Sequence, residues 1–392
     1  MDFLSFDQIL SIPTLVEVLT IVIFFFIFPI FTITTIIAMI ALYLYLNYVY
    51  KKKPTKLMRT TMKAALYIPS RTDSFFKMTN TSIPYIGPKD VLISVKNAAI
   101  NPIDYKVNLS FFPFARFYVP LVIGRDVVGT VIETGSSVTH FKEGDNVYGC
   151  AESGCLAEYA VCHEDKIAKV SETISPVDIA GCALASETAY QSILWFFKPE
   201  ELKEKTILVI GGSGGVGSTG IQICNYYKAK KVCGVCSTKN ITFVQSLTPY
   251  VIDYTKNLDE QIGNEKFDLI FDTVTSKDDP NQFLIFNKYL SPSGKYVQIN
   301  GTPKEFLGGI LTTQLFRNEC FEKNNFHLHL LIWKREDLEV IEKMVAEQKL
   351  VIKYETLLFN YDEIKYGFDK LKDIAKLNFK NTEKIKEKIE EI

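Results

Sequence analysis

The residues best placed to do chemistry are Gly212, Gly214 and Gly217, a G-x-G-x-x-G run inside TILVIGGSGGVGSTGIQI, Thr206 to Ile223. An apolar strand-length segment, Ile207 to Ile210, precedes them, and Ile221 and Ile223 begin a helical apolar pattern. Strand, tight turn and helix result from that order. The first glycine makes the turn, the second admits a pyrophosphate to the backbone, and the third lets the helix pack on the strand. The amides along Ser213, Gly214, Gly215, Val216 and Gly217 then face phosphate at a helix N-terminus. About 20 residues past such glycines an NAD site carries Asp or Glu for the ribose 2′-hydroxyl. Here Ser237, Thr238, Lys239 and Asn240 stand in that place. Hydroxyls and an ammonium accept a 2′-phosphate that a carboxylate would repel, so the pattern predicts NADPH.

The elements that position this turn must be sorted from a longer chain. At 392 residues, two or three domains are expected. Lys and Arg number 44 against 45 Asp and Glu, which gives no global attraction to nucleic acid. Eight cysteines without regular spacing read as reduced thiols rather than a disulfide framework.

Val18 to Leu46 carries no charge and is rich in Ile, Phe, Leu, Val and Tyr. About 20 such residues span a bilayer, so positions 1–50 are expected to form a membrane anchor. The acidic start, Asp2, Asp7 and Glu17, argues against a cleaved signal or a matrix presequence. Lys51, Lys52, Lys53, Lys56, Arg59 and Lys63 form a basic linker over 51–63, which by the positive-inside rule keeps the remainder in the cytosol. As one helix the stretch would be about 43 Å long, and Pro29 either kinks a tilted single span or turns a hairpin within one leaflet.

Residues 64–187 break into short β-branched runs, among them Val91 to Val95 and Asp126 to Glu133, punctuated by Gly135, Gly144 and Gly149. A β-rich, barrel-like domain is expected. AAINPIDYK (Ala98 to Lys106), IGRDVVGTVIETGSSVTHFKEGDNVYG (Ile123 to Gly149), CLAEYAV (Cys155 to Val161) and ALASETAYQSI (Ala183 to Ile193) stand in order before the glycine turn. Together they resemble the medium-chain dehydrogenase/reductase superfamily, closest to its zinc-free quinone oxidoreductase branch, including the reticulon-interacting type.

The resemblance implies an α/β fold: a GroES-like catalytic domain (64–187), a doubly wound Rossmann domain for NADPH (188–325), and a return to the catalytic domain with a charged terminal helix (326–392). It implies Asn101 and Tyr105 as substrate-side residues, with Asp104 and Lys106 beside them; Asn-Pro-x-Asp could equally form a turn whose Asp104 binds backbone amides. Zinc enzymes of the superfamily carry Cys and Gly-His-Glu where this chain has Asn101 and Gly124, Arg125, Asp126, so no metal is expected. By the same resemblance Thr188 contacts the nicotinamide half, although it could instead cap a helix through Ile193 to Phe197. Tyr254 falls beside the adenosine phosphate, or is only a strand-edge aromatic; Asp272 falls at the C-terminal crevice of its strand and Asn300 near the nicotinamide, these two being equally suited to end strands as turn formers.

Lys231 to Cys236 reads as a strand, whose odd offset puts Cys233 and Cys236 on opposite faces and argues against a redox pair. Leu338, Ile341, Met344 and Val345 mark one face of a helix within Trp333 to Leu350, and Ile385, Ile389 and Ile392 a terminal one. The expectation is a membrane-anchored, zinc-free, NADPH-dependent reductase of a quinone or an activated alkene, with a homodimer implied by relatives that are often dimers. The alternative is a catalytically weak NADPH-binding protein with an assembly or sorting role; Glu187, where relatives carry a small or apolar residue, favours it.

Overall fold

The computed structural model describes residues 51–67, 75–106, 122–274, 282–299 and 325–371. The chain divides into two compact units, 1–53 and 54–392. The expected anchor at 1–50, Asn300, the side chain of Lys106 and the terminal helix through Ile392 lie outside the described residues. Among the described residues no helix is long and apolar enough to cross a membrane.

Short, largely buried β-branched runs build the first half of the second unit. Strands β1 (Thr61–Tyr67) and β2 (Phe76–Ser82) pair antiparallel; β1 therefore begins inside the stretch read as a linker. Strands β3 (Asp90–Ala99), β4 (Asp126–Thr134), β5 (Asn146–Cys150), β6 (Tyr159–His163) and β7 (Ile167–Lys169) form an antiparallel sheet ordered β6-β3-β4-β5-β7. Its inner face buries Val91, Ile93, Val127, Val131 and Val147. A five-residue helix, α1 (Pro102–Lys106), comes shortly after β3.

Strands β8 (Thr206–Ile210), β9 (Lys231–Cys236), β10 (Tyr250–Asp253), β11 (Phe267–Asp272), β12 (Leu290–Gln298) and β13 (Phe326–Leu328) are wholly parallel, ordered β10-β9-β8-β11-β12-β13. This sheet extends beyond position 325 to include β13. Both of its faces are covered, so its strands are near-continuous apolar runs, and Ile207 to Ile210 are all buried. Cys233 and Cys236 enter different cores on opposite faces, as the odd offset requires.

Helices α2 (Ala183–Leu194) and α3 (Gly215–Tyr226) pack together on one face. A side-chain carbon at Gly220 would come within 3.0 Å of the Phe271 ring, so α3 lies very close to the sheet. Helix α4 (Arg335–Ala346) buries Leu338, Ile341, Met344 and Val345, the face its spacing marks, and a last helix, α5, covers 361–371. Among the bonds that tie the halves together, Tyr148 Oη donates to the Leu338 carbonyl at 2.6 Å, fully buried, and the Leu184 N–H donates to Asp126 Oδ1 at 3.0 Å, partly buried.

Candidate active site

The strand order reverses between β8 and β11, and the glycine turn leaves β8 at that switch point, where an open α/β sheet binds ligands. Gly211, one residue before the G-x-G-x-x-G run, makes the turn: its φ is +84°, and a side-chain carbon there would meet Thr273 Oγ1 at 2.5 Å. Gly217 faces the turn rather than the sheet, since an added carbon would lie 2.1 Å from the Gly211 carbonyl oxygen. Gly214 sits at the N-cap of α3 in extended geometry, which leaves the first amides of the helix without intrahelical acceptors.

A recess of about 150 Å³ opens over these amides, lined by Ser213, Gly214, Gly215, Ser218, Asn240, Phe243, Ile352 and Lys353. Asn240 Nδ2 donates to Ser213 Oγ at 3.0 Å and to Ser237 Oγ at 3.3 Å, which links the glycine turn to the end of β9. Thr238 turns away and donates to Asp253 Oδ2 at 2.6 Å, so its hydroxyl is committed to a carboxylate. Lys239 is exposed and does not line the recess; Lys353, from the segment after α4, does. Amides, hydroxyls and one ammonium converging on a small hollow fit a phosphate ester.

Tyr254 follows β10 and packs partly buried against the apolar cluster around Ile252 and Phe267. Asp272 ends β11, accepting from Tyr296 Oη at 2.8 Å and the Val274 N–H at 2.9 Å, which is the turn-forming alternative. Thr188 lies in the middle of α2 and donates to the Leu184 carbonyl at 2.7 Å. The helix starts at Ala183, so the capping alternative is corrected: a residue more than a turn inside a helix caps nothing.

On the other side, Asn101 stands between β3 and α1, and its N–H donates to Asp104 Oδ2 at 2.7 Å. Its side-chain Nδ2 donates to Asp126 Oδ2 at 3.0 Å. Tyr105 packs partly buried beside Ile123, Leu156 and Phe368. Burial raises the carboxyl of Asp104 to about 7 and that of fully buried Asp126 to about 8, against the opposing pull of Asn101 on each. Burial likewise pushes the Cys150 thiol to about 12 and Cys155 well above its ordinary value, so neither is a ready thiolate. Among the described residues no group of three or more His, Cys, Asp or Glu could hold a metal ion. His327 stacks on Trp195 at 5.4 Å, and burial lowers it to about 4 and His329 to about 3, leaving both neutral.

Glu187 is fully buried on α2, with Oε1 accepting from the Lys334 N–H at 2.6 Å and from Gln191 Nε2 at 3.2 Å, and with Oε2 unpartnered among the described residues. Desolvation raises it to about 9 from an ordinary 4.5, so it is protonated at neutral pH. A carboxyl raised on folding favours the folded state fully below the unfolded value, and that contribution is lost as pH rises through the folded one. The thermal midpoint of the wild type is therefore expected to fall between pH 7 and 9.5, and that of Glu187→Gln to fall less. Parallel pH profiles for the two proteins would show that Glu187 does not titrate there.

A larger recess of about 290 Å³, lined by Lys96, Val128, Asn146 and Glu172 among others, contains none of the residues chosen from sequence. Sequence reasoning missed Gly211, Lys353 and the connecting role of Asp126. The doubled glycine at 211 and 212 was a signal for the first; nothing local to Lys353 marked it.

Residues 87–172 match the alcohol dehydrogenase GroES-like domain. The chain is 37% identical over 225 residues to a 2-methylene-furan-3-one reductase of Solanum lycopersicum, covering 54% of this chain and 57% of that protein. It is 36% identical over 259 residues to a chloroplastic NADPH-dependent alkenal/one oxidoreductase of Arabidopsis thaliana, covering 62% of this chain and 64% of the other. The chain thus spans about three fifths of the length of these two curated relatives. Among solved structures, the quinone oxidoreductase from Coxiella burnetii superposes with a TM-score of 0.66 at 25% identity, over 80% of this chain and 96% of that one.

Proposed function

We propose, on the premise that the chain belongs to the medium-chain dehydrogenase/reductase superfamily beside its quinone oxidoreductases, that it is a membrane-anchored, zinc-free, NADPH-dependent reductase of a quinone or an activated carbon-carbon double bond. The observation that carries this reading is the recess at the switch point, where the α3 amides, Ser213, Asn240 and Lys353 converge. NADPH, when bound, supplies the hydride. The chain's own residues hold its phosphates, aim its nicotinamide and exclude water. Hydride arrival at a quinone or enone leaves negative charge on a carbonyl oxygen, and an amide donor such as Asn101, once its NH₂ is turned from Asp126 to the cleft, stabilises that charge as it develops. Once the cleft opens to solvent, the new hydroxyl or carbon–hydrogen bond takes its proton from water.

Working without zinc agrees with the donor set: an amide at Asn101 instead of a thiolate, and cysteines held protonated by burial. Anchoring rests on the uncharged stretch Val18 to Leu46 and the lysines that follow, with the reductase on the cytosolic side. A homodimer is compatible with the fold and is part of the proposal. The test is NADPH oxidation by the full chain in carbonate-washed membranes, with a short-chain quinone and with a 2-alkenal. Turnover of either is expected. NADPH binding without turnover of both acceptors would leave the weak-enzyme alternative, and activity released wholly by carbonate would overturn the anchor.

A further inference from the structure

Asp126 is the most enclosed carboxyl in the described chain that touches a substrate-side residue: it is 0% exposed, and each oxygen has its own donor. Oδ1 accepts the N–H of Leu184, in the first turn of α2, where the helix dipole favours negative charge. Oδ2 accepts Nδ2 of Asn101. Asn101 Oδ1 has no hydrogen-bond partner among the described residues, so in this arrangement the amide offers an acceptor outward.

These two contacts dictate where Asp126 can carry a proton taken up from solvent. Oδ1 is held by a backbone N–H that cannot leave, so the proton must sit on Oδ2. A protonated Oδ2 donates, and Asn101 can accept only by turning its amide by about 180°. The same turn releases Nδ2, the donor that an oxyanion in the cleft needs. We infer that Asp126 is a positioning residue whose single proton selects which end of the Asn101 amide meets the substrate: NH₂ when Asp126 is protonated, oxygen when it is ionised.

The environment puts this exchange near physiological pH. Burial raises Asp126 to about 8, the neighbouring carboxyl of Asp104 pushes in the same direction, and the bonds from Asn101 and Leu184 oppose both. Asp126 also interacts electrostatically with Glu187 on α2, with Tyr148 and Cys150 on β5, and with Cys155 and Cys182; Arg125 is its neighbour in the chain and acts on Asp104. Apart from Arg125 every one of these is neutral or anionic, which favours the protonated acid.

The inference rests on the proposed reductase activity, so the experiment has one arm that needs no turnover. With NADPH and a quinone, the full chain's kcat is expected to fall about tenfold per pH unit above the titration of Asp126, while KM changes little. In Asp126→Asn the new amide accepts from Leu184 with its oxygen and donates to Asn101 with its nitrogen at every pH. Its kcat, whatever its absolute value, is expected to lose that limb. In Asp104→Asn the limb is kept and moves to lower pH, because a neighbouring negative charge is gone. In the second arm, the pH-dependent fall of the thermal midpoint between pH 6 and 9 is smaller in Asp126→Asn than in the wild type. A limb that persists in Asp126→Asn overturns the inference. If no acceptor is turned over, the reductase reading fails by itself, and midpoints that fall in parallel then overturn the titration of Asp126.

Discussion

Gly217→Ala is expected to abolish NADPH binding, with affinity at least 100-fold weaker by fluorescence titration, and to lower the thermal midpoint. The added methyl carbon would stand 2.1 Å from the Gly211 carbonyl oxygen and 2.7 Å from its carbonyl carbon. Both atoms are backbone, so no rotamer change relieves the overlap. Gly211 cannot retreat: its φ of +84° is fixed by a turn in which Gly211 N–H donates to the Val235 carbonyl at 3.1 Å and Gly214 N–H to the Gly211 carbonyl at 2.9 Å. Overpacking of this kind costs about 1–3 kcal/mol where side chains can move, and more where only backbone can. The start of α3 must shift away from the turn, and with it the amides that cradle phosphate. Unchanged affinity in Gly217→Ala would show that the phosphate is held elsewhere.

That turn also shows how far the sequence could be read. Strand, turn and helix were legible in Thr206 to Ile223 because an apolar run, clustered glycines and a helical period are all local signals. Which glycine turns the chain was not legible, since Gly211 and Gly212 are adjacent and only the φ angle separates them. The strand Lys231 to Cys236 and the buried face of α4 were legible for the same local reason. The site was less so. Asn101 could be singled out by motif, but its partner Asp126 lies 25 residues away, and the other partner of Asp126, Leu184, a further 58. Thr188 could be read as a cap of a helix through Ile193 to Phe197, whereas the helix had begun five residues earlier, at Ala183. Hydrogen bonds across such separations are set by the packing of β4 on α2, which no local pattern encodes.

Lys353 is the strongest instance, and it carries the second large effect. It lies over 100 residues beyond Asn240, on the segment that leaves α4, yet it lines the recess opposite Ser213 and Asn240, with its ammonium 5.2 Å from the Phe243 ring centroid. That ring fixes the approach of an otherwise exposed side chain. Asn240 and Phe243 belong to the β9 side of the recess, where the adenosine ribose of a dinucleotide is read, so the 2′-phosphate is the group Lys353 is expected to meet. Lys353→Glu replaces a charge-assisted contact with repulsion and is expected to weaken NADPH binding by about 10- to 100-fold, or about 1.4–2.8 kcal/mol. NADH, which lacks the 2′-phosphate, should lose much less, so the preference narrows. Lys239→Ala should cost less than threefold, because Lys239 does not line the recess. The titrations decide between the two lysines: a larger loss from Lys239→Ala would return the 2′-phosphate to the turn after β9, whereas equal losses of NADPH and NADH in Lys353→Glu would move Lys353 to the pyrophosphate.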